Sequence, residues 1–292
     1  MGEAMAAFQQ AVLTHAKTAL RDLPWRDTRD PWQVCVSEVM LQQTTVQRVV
    51  PYYTRFLTLF PTVSACANAP QADVVQAFVG LGYNRRAVML HRTAQAVRDQ
   101  HGGVFPHTLA DLLALPGVGP YTARAILAFA YEQDVAVVDT NVSRLLARAV
   151  AGRTLNKKEV QTLADKMVPD SHGWLWNQGI LDFSAKICTK RAPGCDVCPF
   201  FDGCVWQGGR NGQPDDPADG SAFVTTRQSR FVGSDREGRG RIVHALTAGP
   251  VERTELAAIT GWDDDGRIAK VLAGLERDGL IVCRNGRLEL VR

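Results

Sequence analysis

The stretch that decides the fold of this chain is Leu115-Pro116-Gly117-Val118-Gly119-Pro120-Tyr121-Thr122-Ala123. Two glycines around one apolar residue do not suit a helix interior, because each costs about 1 kcal/mol there relative to alanine. We therefore predict a tight hairpin at 115–119, followed by a helix. Such a hairpin directs backbone N–H groups and a helix N-terminus outward, so Gly117, Val118 and Gly119 are candidate phosphate-binding residues. Similar turns also connect helices in proteins that bind no phosphate.

A helical pattern extends on both sides of the hairpin. From Met5 to about Trp206, leucine and alanine dominate, and apolar residues recur at steps of three and four. Proline residues stand near the expected helix boundaries. One helix is expected after Pro31, and the others at 49–60, 72–79, 85–100, 109–114, 121–131, 141–149 and 157–167. The predicted fold class is mainly α.

The composition is that of an ordinary folded protein. The 292 residues are 46% hydrophobic and 22% charged, which is enough for one large and one small domain. No apolar run approaches the ~20 residues of a membrane span, and the first residues lack the pattern of a secretion signal. We expect a cytoplasmic protein with no membrane partner. The net charge of +3 is only a weak indication of nucleic-acid binding.

The pattern changes after residue 207. A segment rich in glycine, proline and aspartate begins at Gly208, so we predict a linker over 208–237. Helices are expected at 240–248, 253–259 and 265–279, followed by two short strands joined by Asn285-Gly286, a strong hairpin signal. Residues 238–292 therefore resemble a small winged-helix domain. Such a domain either contacts DNA or serves as a docking module.

Four of the seven cysteines lie within seventeen residues, in the order Cys188-x6-Cys195-x2-Cys198-x5-Cys204. Four thiolates in one loop can hold a [4Fe–4S] cluster or a tetrahedral zinc ion. Zinc ribbons usually provide two pairs of cysteines that are each close in sequence. Here only Cys195 and Cys198 form such a pair, so the spacing favours the cluster. Disulfides are disfavoured in a chain with no secretion signal. The predicted metal ligands are thus the four cysteines of loop 188–204.

A glycine hairpin, an aspartate about twenty residues later (Asp139) and this cysteine loop together resemble the helix-hairpin-helix DNA glycosylase family, which includes endonuclease III. Four further stretches resemble its MutY-type adenine DNA glycosylases: LPWR at 23–26, SEVMLQQT at 37–44, LGY at 81–83 and VDTNV at 138–142. The resemblance covers about residues 20–207. It implies a two-lobed glycosylase domain at 1–207 with a [4Fe–4S] loop, and a monomer that binds mismatched or damaged double-stranded DNA at the nucleoid of a bacterial-type cell.

The resemblance also implies roles for particular residues. Glu38 would be the general acid that protonates the adenine ring, and Asp139 would stabilise or attack the oxocarbenium ion. Tyr121 would hydrogen-bond to the catalytic carboxylate, and Asn141 would orient the neighbouring one. The residues that would line the base pocket or contact the opposite, oxidised guanine are Trp25, Arg26, Leu41, Gln178, Gln43 and Tyr83.

Glycosidic-bond chemistry independently favours two carboxyl groups with separated pKa values. An unprotonated purine is a poor leaving group, and the sugar becomes cationic as the bond breaks. One acid must therefore be protonated, so that it can donate to the base, and the other must be ionised, so that it can stabilise the sugar. Glu38 lies in a helix among valines, where desolvation should raise its pKa. Asp139 precedes a polar segment, and it is equally suited to be the N-cap of the next helix. Because the base lies inside the duplex, the nucleotide must flip out.

The function predicted from these features is a monofunctional glycosylase that removes adenine opposite 8-oxoguanine or guanine. Relatives with strand-cleaving lyase activity carry a lysine where this chain has Tyr121, and a tyrosine cannot form a Schiff base. We find no counterpart of the Nudix-like domain common in these relatives and expect a winged-helix-like tail instead, and Asn84 replaces a frequent tyrosine. Two alternatives remain: an enzyme of the same family that excises uracil, thymine or hypoxanthine, and a non-catalytic DNA-binding protein.

Overall fold

The computed structural model describes residues 2–213, 215–223 and 230–292. Part of the predicted linker, residues 214 and 224–229, lies outside these residues. The described chain is mainly α-helical, with three short strands near its end. The helices are α1 (Gly2–Ala19), α2 (Pro31–Leu41), α3 (Val46–Leu59), α4 (Val63–Asn68), α5 (Gln71–Phe78), α6 (Arg85–His101), α7 (Leu109–Ala114), α8 (Pro120–Phe129), α9 (Thr140–Leu146), α10 (Lys157–Met167), α11 (Gly173–Lys186), α12 (Asp235–Leu246), α13 (Leu256–Thr260) and α14 (Asp265–Arg277). The strands are β1 (Val251–Glu252), β2 (Ile281–Arg284) and β3 (Arg287–Leu290).

The chain divides into two compact units that do not follow its order. The first unit contains residues 1–31 and 120–227, and the second contains 32–119 and 228–292. The second unit therefore combines the middle of the chain with the C-terminal tail. The predicted domain boundaries, 1–207 and 238–292, stay a prediction.

The first unit is built around α11. Phe8 of α1 contacts Trp176 of α11 edge-on, with ring centroids 6.1 Å apart. Gly179 allows α1 and α11 to approach closely, because a Cβ atom at this position would lie 2.7 Å from the Cβ of Ala16. Residues of α9 and α10 complete the same buried core. This core supports the start of α9, where Asp139 lies.

An aromatic cluster forms the core of the second unit. Phe56 of α3 contacts Trp32, Phe60 and Phe78, with ring centroids between 4.9 and 6.2 Å apart. The indole N–H of Trp32 donates to the carbonyl of Phe60 at 3.0 Å, so this buried polar atom is satisfied. Trp32 belongs to α2, and the cluster thereby anchors the helix that carries Glu38.

Polar side chains determine where several helices begin. Thr62, Thr108, Asn156 and Ser234 each accept a hydrogen bond from a backbone N–H in the first turn of α4, α7, α10 and α12. Such caps satisfy N–H groups that a helix cannot pair internally and contribute about 1 kcal/mol each. At the other end of α6, Gly102 adopts a left-handed conformation with φ +60°, which suits glycine.

The tail forms three helices and a three-stranded antiparallel sheet in the order β1-β3-β2. Asn285 and Gly286, both with positive φ, form the turn between β2 and β3, as the sequence predicts. The short strand β1, which the sequence analysis missed, pairs with β3 through Val251 and Leu288. This small helix-and-sheet arrangement agrees with the winged-helix-like pattern expected there.

Most of the predicted helices are present with small shifts. The helix at 109–114 has the predicted bounds, whereas α12 begins at Asp235, five residues before the expected start at Gly240. The helix expected at 141–149 ends at Leu146 and continues as a π-helical turn over Ala147–Ala151. Within the described residues, no helix has both the length and the apolar character needed to cross a membrane.

Candidate active site

The predicted hairpin lies between α7 and α8. Gly117 has φ +80°, and a Cβ atom at this position would lie 2.7 Å from the Cβ of Met89. The carbonyl of Pro116 accepts a hydrogen bond from the Thr93 hydroxyl at 2.6 Å, which fixes the hairpin to α6. Val118 is buried, whereas Gly117 is exposed. The hairpin is thus rigid and accessible, and phosphate binding by Gly117, Val118 and Gly119 stays a prediction.

Glu38 is buried on α2. The residue is only 5% exposed, and Val34, Cys35 and Met40 of the same helix are also buried. Burial raises the pKa of the Cys35 thiol to about 12, and the nearby carboxylate of Glu38 adds to this rise. The role of Glu38 as a general acid stays a prediction.

Gln43 and Tyr83 share an uncommon backbone geometry. Their φ angles are +56° and +49°, in the left-handed region that non-glycine residues rarely occupy. Both residues are exposed, Tyr83 by 40%. Left-handed residues cost about 1–3 kcal/mol and concentrate at ligand-contacting positions. Both side chains are thus accessible, and their role in wedging apart stacked bases stays a prediction.

One residue that no sequence pattern indicated holds these two loops together. The buried guanidinium of Arg86 donates from Nη1 to the carbonyls of Val39, Met40 and Gln42 at 2.6–3.0 Å. Its Nη2 donates to the carbonyls of Leu81 and Gly82 at 3.2 and 2.9 Å and to the Thr44 hydroxyl at 3.2 Å. Burial lowers the pKa of Arg86 to about 10. Arg86 therefore joins the end of α2 to the loop before α6.

In the first unit, Asp139 is the N-cap of α9. Its Oδ1 accepts hydrogen bonds from the backbone N–H groups of Asn141 and Val142 at 2.8 and 2.7 Å. Its Oδ2 accepts from the Asn141 amide at 2.7 Å. Asp139 is thus the N-cap that the sequence offered as one reading, and the catalytic role offered beside it stays a prediction. A carboxylate that accepts three hydrogen bonds is held in one orientation.

A chain of hydrogen bonds connects Asp139 to the cysteine loop. Arg144, one turn along α9, donates to the Asn141 side-chain oxygen at 3.0 Å. Its other nitrogens donate to the carbonyls of Cys188 and Ser184, both at 2.8 Å. Burial lowers the pKa of Arg144 from its ordinary value. The loop that carries the cysteines and the side chain that orients Asp139 therefore share one arginine.

Trp25 and Arg26 lie in a short 3-10 turn, and both are buried. Arg26 forms a bidentate pair with Asp182 of α11, at 2.9 and 2.8 Å. Burial alone would raise the pKa of Asp182, but hydrogen bonds from Arg26 and Arg21 hold that pKa far below its usual range. The Nε of Arg26 is buried, and no described residue accepts a hydrogen bond from it. Arg26 thus forms a structural ion pair with Asp182, and its Nε–H group is still available to donate a hydrogen bond.

The remaining predicted site residues, two for the base pocket and the catalytic candidate Tyr121, occupy separate elements. Gln178 is buried on α11, Leu41 is half-buried at the end of α2, and Tyr121 is half-buried in the first turn of α8. The neighbour of Gln178, Asn177, was missed by the sequence analysis. Its amide donates to the carbonyl of Val135 at 2.8 Å, and its oxygen accepts from the N–H of Val137 at 2.7 Å. Asn177 thereby fixes the extended segment that leads to Asp139.

The four predicted metal ligands line one small cavity of about 30 Å³. Two N–H groups contact their sulfur atoms: Arg148 Nη1 lies 3.5 Å from Cys188 Sγ, and Gln207 donates its backbone N–H to Cys204 Sγ at 3.3 Å. Gly208 passes so close that a Cβ atom there would lie 3.0 Å from Cys195 Sγ. Donors around thiolates are typical of cluster sites. The residues present therefore fit a [4Fe–4S] cluster.

Charge compensation supports this fit. Burial raises the pKa of the Cys198 thiol to about 11, so a thiolate there needs nearby positive charge. Arg148 provides positive charge beside two other cysteines of the loop and acts to lower the pKa of Cys195 and Cys204. Its guanidinium also stacks 4.5 Å from the Trp206 ring and pairs with Asp216. Among the described residues, no set of three His, Cys, Asp or Glu side chains is arranged to hold a single metal ion. The fit thus depends on the shared cavity and the donors around it.

Comparison with known proteins agrees with this arrangement. Residues 36–170 match the model of the HhH-GPD superfamily of base excision DNA repair proteins. The chain is 38% identical over 270 residues to an adenine DNA glycosylase of Mycolicibacterium smegmatis, covering 90% of this chain and 88% of that protein. The chain belongs to the HhH-GPD superfamily. This HhH-GPD protein is accordingly a DNA glycosylase of base excision repair.

Solved structures show the same fold. A thermostable thymine-DNA glycosylase superposes on this HhH-GPD protein with a TM-score of 0.67 at 30% identity, covering 71% of this chain and 98% of that one. Endonuclease III trapped as a covalent intermediate with DNA superposes with a TM-score of 0.62 at 22% identity, covering 70% and 94%. The second likeness confirms the predicted endonuclease III-like fold.

Proposed function

We propose that this protein removes adenine mispaired with 8-oxoguanine or guanine, by flipping the nucleotide out of the duplex and hydrolysing its N-glycosidic bond. The observation that carries the proposal is the contrast between two carboxyl groups. Glu38 is buried on α2, whereas Asp139 is partly exposed and accepts three hydrogen bonds. Two acids in such different environments can be one protonated and one ionised at the same pH. The similarity to an adenine DNA glycosylase supports adenine as the target.

In this mechanism Glu38 donates a proton to a ring nitrogen of adenine, so that the base can leave as neutral adenine and not as an anion. Asp139, oriented by Asn141, stabilises the positive charge that develops on the sugar. Glu38, now ionised, accepts a proton from the attacking water. Gln43 and Tyr83 fill the space left in the base stack. The hairpin N–H groups bind a backbone phosphate, and the pocket residues Trp25, Arg26, Leu41 and Gln178 surround the flipped base.

The enzyme is a monofunctional glycosylase in this proposal. A lyase needs an amine that forms an imine with the opened sugar, and Tyr121 offers a phenol at the corresponding position. The product is an abasic site in an intact strand. One chain carries all the proposed catalytic groups, so we infer a monomer that works on duplex DNA in the cytoplasm, at the nucleoid.

A [4Fe–4S] cluster held by Cys188, Cys195, Cys198 and Cys204 belongs to the same proposal. When bound, it cross-links the loop at 188–204 and holds Lys190 and Arg191 at the loop surface. Arg144 and Arg148 contact this loop from α9 and its π-helical continuation. The cluster thus stabilises the segment on which Asn141 and Asp139 depend.

A panel of duplexes tests the assignment. Each duplex carries one pair, A:8-oxoG, A:G, U:G, T:G or hypoxanthine:T, and alkali reveals abasic sites. We expect product only from the adenine duplexes, and strand breaks only after alkali. Product only from U:G or T:G would support the alternative that the thymine-DNA glycosylase neighbour suggests. Strand scission without alkali would contradict the monofunctional assignment.

A further inference from the structure

The C-terminal tail lies against the predicted lesion-contacting loop. Arg236, in the first turn of α12, donates from Nη1 to the Tyr83 hydroxyl at 2.9 Å. Its guanidinium carbon also lies 6.0 Å from the centre of the Tyr83 ring, within the range of a weak cation–π contact. A residue more than 150 positions away in the chain thus contacts the side chain proposed to enter the base stack.

Two polar contacts dock the tail on α5 and α6. The buried amide of Gln71 donates to the carbonyl of Gly279 at 2.7 Å. Asp278 accepts from Arg239 of α12 and lies 3.6 Å from Arg85 of α6. Leu280 is buried beside these contacts. The start of α12 is therefore held in place by the fold rather than by the contact with Tyr83 alone.

A cavity of about 580 Å³ lies at this junction. Its lining includes the lesion-contacting loop (Gln42 and Tyr83), the glycine hairpin (Gly117) and the tail (Arg236 and Arg239). Its volume is within the range of about 300–1,000 Å³ found for small-ligand sites. Two elements that the sequence predicts to contact DNA thus share one cavity with the tail.

The charges around the cavity favour an anion. Four arginines line it, namely 85, 86, 236 and 239, against one carboxylate, Asp278. Arg86 is engaged by backbone carbonyls, and Asp278 is paired with Arg239 and Arg85. Even after these pairings the lining carries excess positive charge. An arginine fork suits a phosphate group, which it can bind through two parallel hydrogen bonds.

We propose that the tail completes the lesion-binding surface, with Arg236 contacting a backbone phosphate of the strand opposite adenine while it holds the Tyr83 hydroxyl. The inference rests on the proposed function for the identity of that strand. Arg236 is a positioning and DNA-binding residue and takes no part in bond cleavage. The tail would thereby provide contacts to the strand that carries the oxidised guanine, with a winged-helix-like fold in place of a Nudix-like one.

The test measures binding of the full-length chain to a duplex that carries a non-hydrolysable adenine nucleotide opposite 8-oxoguanine. We expect Arg236→Gln to weaken binding about tenfold, the loss typical of a charge-assisted contact. The slope of log affinity against log salt should fall by about one, because one phosphate contact is lost. Arg287→Gln is the matched control, since this exposed tail arginine pairs with Glu252. The control should bind within twofold of the wild type.

A double-mutant cycle with Tyr83→Phe tests the coupling. If Arg236 and the Tyr83 hydroxyl act together, the double variant should bind no more than twofold more weakly than Arg236→Gln alone. Additive losses would contradict the inference, as would an Arg236→Gln variant that behaves like the control. A wild type that binds this duplex as expected but releases no adenine from a cleavable A:8-oxoG duplex would overturn the proposed function instead.

Discussion

Replacing Arg86 by alanine should destabilise the protein strongly and loosen both loops that carry the wedge residues. Its guanidinium is buried and donates to five backbone carbonyls and one hydroxyl. Truncation removes all of these hydrogen bonds and leaves buried carbonyls without their donor. Each buried acceptor left unsatisfied costs about 1–3 kcal/mol, and several carbonyls lose their donor here, so we expect a loss of about 3–5 kcal/mol. This value is smaller than a sum over six bonds, because the loops can relax towards water.

The expected loss is large enough to measure by thermal unfolding. At about 2–3 °C per kcal/mol for a protein of this size, the melting temperature should fall by roughly 6–15 °C. The Arg86→Lys variant keeps the positive charge but has fewer hydrogen-bond donors, so its fall in melting temperature should be intermediate. Arg85→Ala is the matched control. The side chain of Arg85, next to Arg86 in the chain, is 65% exposed, and its ion pair with Asp278 is long at 3.6 Å. A surface pair of this kind contributes about 0–1 kcal/mol.

The same variant should lose its preference for damaged DNA. The left-handed conformations of Gln43 and Tyr83 cost free energy, and Arg86 contacts the carbonyls immediately before each of them. Without that support both loops can adopt other conformations. The affinity for an A:8-oxoG duplex should therefore approach that for a paired duplex. An Arg86→Ala variant that melts within 2 °C of Arg85→Ala, or keeps the full preference, would refute the role given to Arg86.

Three further changes have definite expected outcomes. Asp182 has a folded-state pKa below its ordinary value of 3.8, so its stabilising effect is complete above about pH 5 and is lost as the pH falls. The Asp182→Asn variant should therefore have a lower free energy of unfolding at pH 7. Urea denaturation at several pH values should also show a smaller loss of stability in acid than the wild type has. Cys198→Ser should yield protein with little iron and no brown colour, whereas the wild type should contain four irons per chain; zinc without colour in the wild type would contradict the cluster. Tyr121→Lys should form an imine with the abasic product that borohydride traps, and Tyr121→Phe should not; trapping of the wild type would contradict the assignment.

Local sequence signals identified most of the helices and the tail hairpin. The bounds of α7 and the Asn285-Gly286 turn follow from residues that are adjacent in the chain. Among the elements without a predicted range, β1 and α4 are too short to have a pattern of their own. The early start of α12 depends on the Ser234 cap, which lay within the segment assigned to a linker. α11 is buried on most sides and buries polar residues such as Asn177, Gln178 and Asp182, so no amphipathic period revealed it.

The residues that support the site could not be found in the same way. Arg86, Arg144 and Asp182 are charged residues on helices, where a sequence predicts a solvated surface. Their partners are carbonyls or side chains 40 or more positions away, such as Cys188 for Arg144 and Arg26 for Asp182. Only the fold brings these groups together. In contrast, Asp139 and Asn141 interact over two residues, so the sequence could indicate both the cap and the orienting contact.

The central claim is that Glu38 carries the proton that releases adenine, and single-turnover kinetics on an A:8-oxoG duplex test it most directly. Glu38→Gln should bind this duplex as the wild type does but release free adenine about 10²–10⁴ times more slowly, the usual contribution of a general acid. Glu276→Gln, at an exposed position on α14, is the control and should react at the wild-type rate. A Glu38→Gln variant that releases adenine within tenfold of the wild-type rate would contradict the account.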